Sequence, residues 1–265
     1  MGPMRRLVIS VVLAFTVLAG AVAARAELIQ QDGLRVHFDG QLRPHALPRE
    51  HRAPVSVSLE GSVSTSDGTR PPQLREMTIA MNRAGVVSST GLPTCSAPQL
   101  QQTSTEAALK ACRPALVGRG RFAANVDFPG APLIPARGEV LAFNSRLHGR
   151  PGILLHLYGS TPVRAAFVLP FEISHRSSGR YGAVFSTKIP ELASGLGYVT
   201  EVEMKIGRTY SYKGKRRSFL SASCAAPAGF GRVGFTLAHA TFTFSNGQRL
   251  STGLSRECKV RSPGG

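Results

Sequence analysis

The sequence predicts an all-β protein, an antiparallel β-sandwich for which a jelly-roll-like arrangement is one option. The strongest observation is the stretch 163–173, in which apolar residues recur at every second position. A two-residue period indicates an extended strand with one buried face. Runs of the same period, separated by turn-forming residues, follow one another along most of the chain. Roughly ten to twelve such strands with one short helix favour two packed antiparallel sheets.

The first 26 residues have the three parts of an export signal. Arg5 and Arg6 supply positive charge, 7–23 is apolar, and Ala24-Arg25-Ala26 is typical of a cleavage site. A retained membrane anchor is the alternative, because the apolar run is nearly long enough to span a bilayer. Because small residues follow the run at once, we expect cleavage before Glu27. The segment 27–265 would then be a single β-sandwich domain outside the cytoplasm, secreted or at the cell envelope.

Alternating patterns predict the strands in order, with a central hairpin made of 153–158 and 163–173. The Pro-, His- and Arg-rich segment 41–52 is expected to be an exposed loop. In 233–244 the apolar residues change face between Leu237 and Phe242, which predicts a β-bulge at 238–241. The other expected strands are 33–38, 54–63, 75–81, 122–128, 139–146, 181–189, 198–206 and 218–223.

Four cysteines in an exported chain predict two disulfides rather than a metal site, since no pair has C-x-x-C spacing. Of three possible pairings, Cys95 with Cys112 and Cys224 with Cys258 is preferred, because each pair brackets one compact segment. The first pair encloses the one helical segment, in which Thr103 and Glu106 fit a capping box. This helix is too short to be stable alone. We expect the disulfide to clamp it on the sheet as a flap.

Short motifs around these cysteines carry a resemblance. They are 92–95 (LPTC), 108–112 (ALKAC), 117–120 (VGRG), 223–230 (SCAAPAGF) and 258–260 (CKV). Together they resemble a recurring pattern in uncharacterised secreted proteins of Actinobacteria. The resemblance implies secretion and a β-rich body with paired cysteines. It transfers no catalytic residue.

Glu201 and Glu203 are the best paired carboxylates, two apart on one strand and therefore on one face. Such a pair could flank a glycosidic bond. However, Val202 and Met204 occupy the opposite, apolar phase, which favours a solvated face for both acids. The chain also has no tryptophan to form a sugar platform. These observations argue against catalysis.

The histidines show no zinc-binding spacing. His156 lies inside an apolar strand and is expected to be a hydrogen-bonded core residue. His239 lies at the expected bulge, where a side chain can be re-aimed toward a site. The G-x-G-x-x-G match at 229–234 precedes a strand rather than a helix, so it does not indicate a dinucleotide site. No metal or cofactor is expected.

The most concrete binding signal is a basic cluster near Tyr210, Tyr212 and Phe219 in a chain of net charge +17. Lys and Arg can hold phosphates or sulfates while aromatic rings stack. The alternative is an edge hairpin that lysines protect from strand pairing. Anionic envelope polymers or lipid headgroups are the expected partners, since export argues against nucleic acid. The cluster is Lys205, Arg208, Lys213, Lys215, Arg216 and Arg217.

The leading hypothesis is therefore a non-catalytic exported β protein that binds or structures something at the cell envelope or outside the cell. The alternative is an extracellular hydrolase on a jelly-roll-like scaffold that uses Glu201, Glu203, His156 or His239. A third reading is an assembly or coat component without a small ligand. Convergence of these side chains on one deep pocket would favour the enzyme.

Overall fold

The computed structural model describes residues 27–190 and 195–261. The described residues are 61% strand and contain one α-helix. This confirms the all-β class with one short helix. The expected export signal lies outside the described residues.

The α-helix is α1 (Thr105–Cys112), flanked by 3₁₀ turns at Ala97–Gln99 and Arg113–Ala115. The strands are β1 (Glu27–Gln31), β2 (Leu34–Arg43), β3 (Ala46–Leu47), β4 (Ala53–Pro54), β5 (Ser56–Thr65), β6 (Leu74–Asn82), β7 (Gly85–Val87), β8 (Leu116–Val126), β9 (Ile134–Leu147), β10 (Arg150–Gly159), β11 (Ala165–His175), β12 (Tyr181–Lys188), β13 (Gly197–Ile206), β14 (Thr209–Tyr212), β15 (Lys215–Ser218), β16 (Leu220–Ala222), β17 (Arg232–Phe244) and β18 (Arg249–Val260).

Thirteen of these strands form one continuous sheet, in the order β1-β2-β5-β13-β8-β9-β10-β11-β12-β6-β17-β18-β3. The predicted hairpin is confirmed: β10 and β11 pair antiparallel at the middle of the sheet, with His156 opposite Val168. The sheet curls into a half-barrel. A sandwich of two stacked sheets is therefore not confirmed, because the hydrogen-bonded ladder runs through these strands without a break.

An arginine joins two distant parts of the curled sheet. Arg256 on β18 is 6% exposed, and its Nε donates to the carbonyl oxygen of Gly40 on β2 at 2.6 Å. Its Nη2 donates to the Asp39 carboxylate. In the sheet order, β2 and β18 lie near opposite ends, so this contact requires the sheet to curl back on itself.

Both predicted disulfides are present, with Cα–Cα distances of 5.6 Å for Cys95–Cys112 and 5.8 Å for Cys224–Cys258. The first closes a flap of residues 95–112 over the outer face of β9 and β10. Its edge is tied down by two bonds: Cys95 N–H donates to Asn144 at 2.9 Å, and Ser145 Oγ donates to the Cys95 carbonyl oxygen at 2.7 Å.

The helix cap differs from the prediction. Ser104, not Thr103, is the N-cap, and its Oγ accepts from Ala107 N–H at 3.2 Å. Thr103 instead turns its hydroxyl toward the Leu100 carbonyl oxygen and His156. The predicted capping box is therefore wrong, since the residue three positions after Ser104 is Ala107 and not Glu. Thr103 is engaged by His156 on β10, and the next hydroxyl residue caps the helix.

Two other local predictions are corrected. The change of face in β17 is present, but the register shifts between Thr236 and Ala238, ahead of the predicted 238–241. The segment 41–52 is not all exposed loop, because β2 continues to Arg43 and Leu47 on β3 is 1% exposed. Partner strands decide both outcomes: β18 pairs with β17 and β3, and β5 pairs with β2 as far as Arg43. The periodicity of a single strand does not contain this pairing.

Candidate ligand-binding cavity

The curled sheet encloses a cavity of about 180 Å³. Its walls come from strands far apart in the sheet order, including β2, β5 and β13 on one side and β6, β12 and β17 on the other. Phe38 on β2 and Phe242 on β17 meet edge to face, with ring centroids 6.1 Å apart. The alternating pattern explains the lining, since each strand directs its apolar residues inward and its polar residues outward.

Large apolar side chains dominate the lining. Five phenylalanines contribute: Phe38, Phe171, Phe185, Phe219 and Phe242. All three methionines that follow residue 26 do as well, namely Met77, Met81 and Met204. Methionine is flexible and polarizable, and it suits surfaces that must adapt to a variable apolar ligand.

Many of these inward side chains are not packed to completion. Met77, Met81, Phe185 and Val202 remain partly exposed, although they face the inside of the sheet. The surface that they leave uncovered is therefore cavity wall. An apolar cavity of about 150 Å³ in another protein stays dry and binds benzene, so a void of this size and chemistry can hold a small apolar molecule.

A second cavity of about 140 Å³ adjoins the first and shares Gly61, Met77 and Phe242 with it. Its lining includes the polar residues His37, Ser62, Gln73, Thr200 and Glu201. His37, Ser62 and Glu201 lie opposite one another across β2, β5 and β13, in the phase that faces outward, where His37 also meets Glu60. Gln73 instead has a buried amide nitrogen at this wall.

The two candidate acids lie on one face of β13, because no register shift falls between Glu201 and Glu203. Glu203 lines a groove of about 400 Å³ on the outer face and pairs with Arg121 at 2.8 Å. That hydrogen bond raises the pKa of Arg121, and the charge of Glu201 adds to the same shift. Glu201 contributes to the wall of the second cavity, but its carboxylate acts on the exposed Arg121. The two acids therefore share an outer surface and do not converge in a deep pocket.

His156 is fully buried beneath the flap, as a core residue would be. Its Nε2 lies 3.0 Å from the Thr103 carbonyl oxygen and 3.2 Å from the Thr103 hydroxyl. Burial lowers its pKa, and the bond to the Thr103 carbonyl partly opposes this shift. His239 is partly exposed on β17 and lies beside Tyr181, with ring centroids 6.0 Å apart. Neither histidine lines the three cavities described above, so neither meets the two acids there.

The basic cluster divides into two kinds of residue. Lys213, Lys215, Arg216 and Arg217 are exposed on the β14–β15 hairpin. Arg208 instead donates to the carbonyl oxygens of Pro114 at 2.6 Å and Leu116 at 2.8 Å, so it fastens the hairpin base. Lys205 lies on the outer groove next to β8.

The aromatic residues of the hairpin pack inward against the chain. Tyr210 donates its hydroxyl to the Thr90 carbonyl oxygen at 2.8 Å, and burial raises its pKa. Tyr212 covers Gly91, where a Cβ would lie 2.1 Å from its ring. These rings anchor the hairpin.

No match to this chain is found among known protein families, curated proteins or solved structures. Within residues 27–190 and 195–261, no cluster of three or more His, Cys, Asp or Glu side chains is placed to hold a metal ion. Nor does this part of the chain contain a helix long and apolar enough to cross a membrane.

The interior cavity is the site that the sequence patterns did not reveal. They did mark Val57, Leu59, Val202, Met204 and Ile206 as inward, and all five line it. One further signal was available, since the methionines after residue 26 all fall in inward phases. Periodicity gives the direction of a side chain, but not the distance to the opposite wall.

Proposed function

We propose that this protein is a non-catalytic binding protein of the cell exterior whose ligand is a small apolar molecule held inside the curled sheet. The observation that carries this proposal is the unfilled interior lined by phenylalanine and methionine. Concave, mainly apolar cavities with few polar groups are the usual form of small-molecule sites. Glu201 and Glu203 share an outer surface with Arg121, whereas His156 is buried beneath the flap and His239 lies on β17, which supports binding over hydrolysis.

Export is part of the proposal. Two disulfides are typical of proteins that fold in an oxidising compartment. Protein isolated from the cell exterior should begin at Glu27 and contain no free thiol, as measured by N-terminal sequencing and thiol titration. A protein that retains residues 1–26 or carries four free thiols contradicts this part.

Calorimetric titration of the purified protein with toluene tests the ligand class. We expect saturable binding of one molecule with a negative heat-capacity change, because apolar surface is removed from water. Val202→Phe fills the cavity and should weaken binding at least about tenfold. Val163→Phe is the matched control, since Val163 is 64% exposed, away from the cavity lining. Absence of saturable binding, or equal binding by both variants, contradicts the proposal.

A second candidate activity is attachment to anionic envelope polymers or lipid headgroups through the basic hairpin. It is supported by four adjacent exposed cations, Lys213, Lys215, Arg216 and Arg217. Neutralising these four to Gln should abolish low-salt binding to anionic vesicles. A control that neutralises four separate exposed arginines (Arg52, Arg137, Arg150 and Arg164) changes the net charge equally and should retain most of it. Equal loss of vesicle binding in both variants would mean that net charge alone causes the binding, and would contradict a specific role of the hairpin.

A further inference from the structure

The second cavity is bordered by a buried amide group without a partner. Gln73 Nε2 is inaccessible to solvent and has no hydrogen-bond partner among the described residues. The residue lines this cavity. Buried donors in folded proteins are nearly always satisfied, so a lone amide at a cavity wall suggests that a ligand atom completes it.

The main chain fixes this amide in place. Ser245 N–H donates to the Gln73 carbonyl oxygen at 2.8 Å, and Gln73 N–H donates to Ser245 Oγ at 3.1 Å. The residue is thus held at the start of β6 by the end of β17. Only its side chain remains free to contact a ligand.

The lining restricts the charge of the ligand's polar end. No Lys or Arg is among the described residues that line this cavity, so a ligand carboxylate would leave water without a cationic partner. A hydroxyl group avoids this cost. Its oxygen can accept from an amide, and its proton can be donated to a second hydroxyl.

We infer that the ligand is an uncharged amphiphile, with its hydrocarbon part in the apolar cavity and a hydroxyl group at Gln73. The inference rests on the proposed function, since it assumes that the apolar cavity is occupied. It adds the chemical class of the ligand, an aliphatic or cyclic alcohol. A hydrocarbon lacks the hydroxyl group, and a fatty acid carries the disfavoured charge.

Hexane, 1-hexanol and hexanoate, which share one chain length, distinguish these classes. Their affinities are measured by competition with bound toluene. We expect the unmodified protein to bind hexanol about fivefold more tightly than Gln73→Leu does, which is the typical net effect of one hydrogen bond. Hexane should bind both proteins equally. Gln101→Leu, the same change at an exposed turn, should match the unmodified protein. Hexanoate should bind the unmodified protein more weakly than hexanol does, because its charge has no cationic partner in the cavity.

The outcomes separate the two proposals. If hexane and hexanol both fail to displace toluene from a protein that binds it, the inference alone is overturned. Equal hexanol affinity in the unmodified protein and Gln73→Leu also overturns it, while the apolar-ligand proposal stands. Failure of toluene itself overturns the proposed function. The melting temperature of each variant, taken in parallel, identifies any loss of folded protein. Hexanoate binding as tight as hexanol binding in the unmodified protein overturns the inference independently of any variant.

Discussion

The two faces of the sheet bury similar residues in different ways. On the outer face of β9 and β10, Phe143 and Leu154 are 0% exposed beneath the disulfide-clamped flap. On the inner face, Met77 and Phe185 border an open cavity. The chain can therefore fill a core where it has a covering element. The difference indicates that the interior void does not arise from a shortage of apolar side chains.

The unfilled cavity lowers the stability of the protein. Cavities left by core truncations cost about 24 cal/mol per Å³, which for about 180 Å³ corresponds to roughly 4 kcal/mol. That is a large fraction of the stability of a typical domain. A fold selected for stability alone would be expected to fill this space. An unfilled interior beside a closely packed flap is more consistent with selection for a ligand.

Truncating one phenylalanine on each face should give the largest contrast. Phe143→Ala removes a fully buried ring and should lower the free energy of unfolding by about 4 kcal/mol. Phe185→Ala enlarges an existing void and should cost about 2 kcal/mol or less, because the ring already lacks neighbours on one side. Urea unfolding measures both. Equal losses would mean that the inner face is as well packed as the outer one.

Removing the flap disulfide separates the two faces further. Replacing Cys95 and Cys112 together by Ala should destabilise the protein by roughly 3 kcal/mol, the chain-entropy effect for a separation of 17 residues. Toluene affinity should remain unchanged, since the flap does not line the cavity. The matched change at Cys224 and Cys258, separated by 34 residues, should cost slightly more. If the folded flap variant lost toluene binding, the flap and the cavity would not be independent, and this prediction would be contradicted.

Adding one methylene should change protein stability in opposite directions at the cavity wall and in the packed core. Val202→Leu extends into the void and should stabilise the protein by up to about 1 kcal/mol. Val117 is 2% exposed in packed core, so Val117→Leu should destabilise by about 1–3 kcal/mol. Thermal unfolding of the two variants in the same buffer decides the sign. Destabilisation by both would indicate that the cavity closes in solution.

The buried histidine beneath the flap should also make the stability of the protein depend slightly on pH. Burial lowers the pKa of His156 below its ordinary value of 6.5, so the unfolded chain takes up this proton more readily. Stability is then fully present above about pH 6.5 and declines as the pH falls through the window below it. His156→Gln should flatten this decline in melting temperature between about pH 7.5 and 5.5. His175→Gln, at an exposed position, should leave the decline unchanged.

The sequence predicted those parts that depend on local pattern. Alternation at 163–173 identified β11 and its inward face, and segment bracketing identified both disulfides. It could not predict contacts made by curling. Arg256 occupies an inward phase of β18 between Leu254 and Cys258, and the approach of β2 supplies its bonds to Gly40 and Asp39. Gln73 lies in a segment without periodicity, so its position at a cavity wall depends on Ser245.

Xenon binding in a crystal of the protein tests the central claim most directly. Xenon enters dry apolar cavities and is indifferent to hydrogen-bonding groups. The account predicts a xenon site within the curled sheet, surrounded by Met77, Phe185 and Val202, and its loss in Val202→Phe. An interior filled by ordered water, or one collapsed so that no xenon enters, would contradict it.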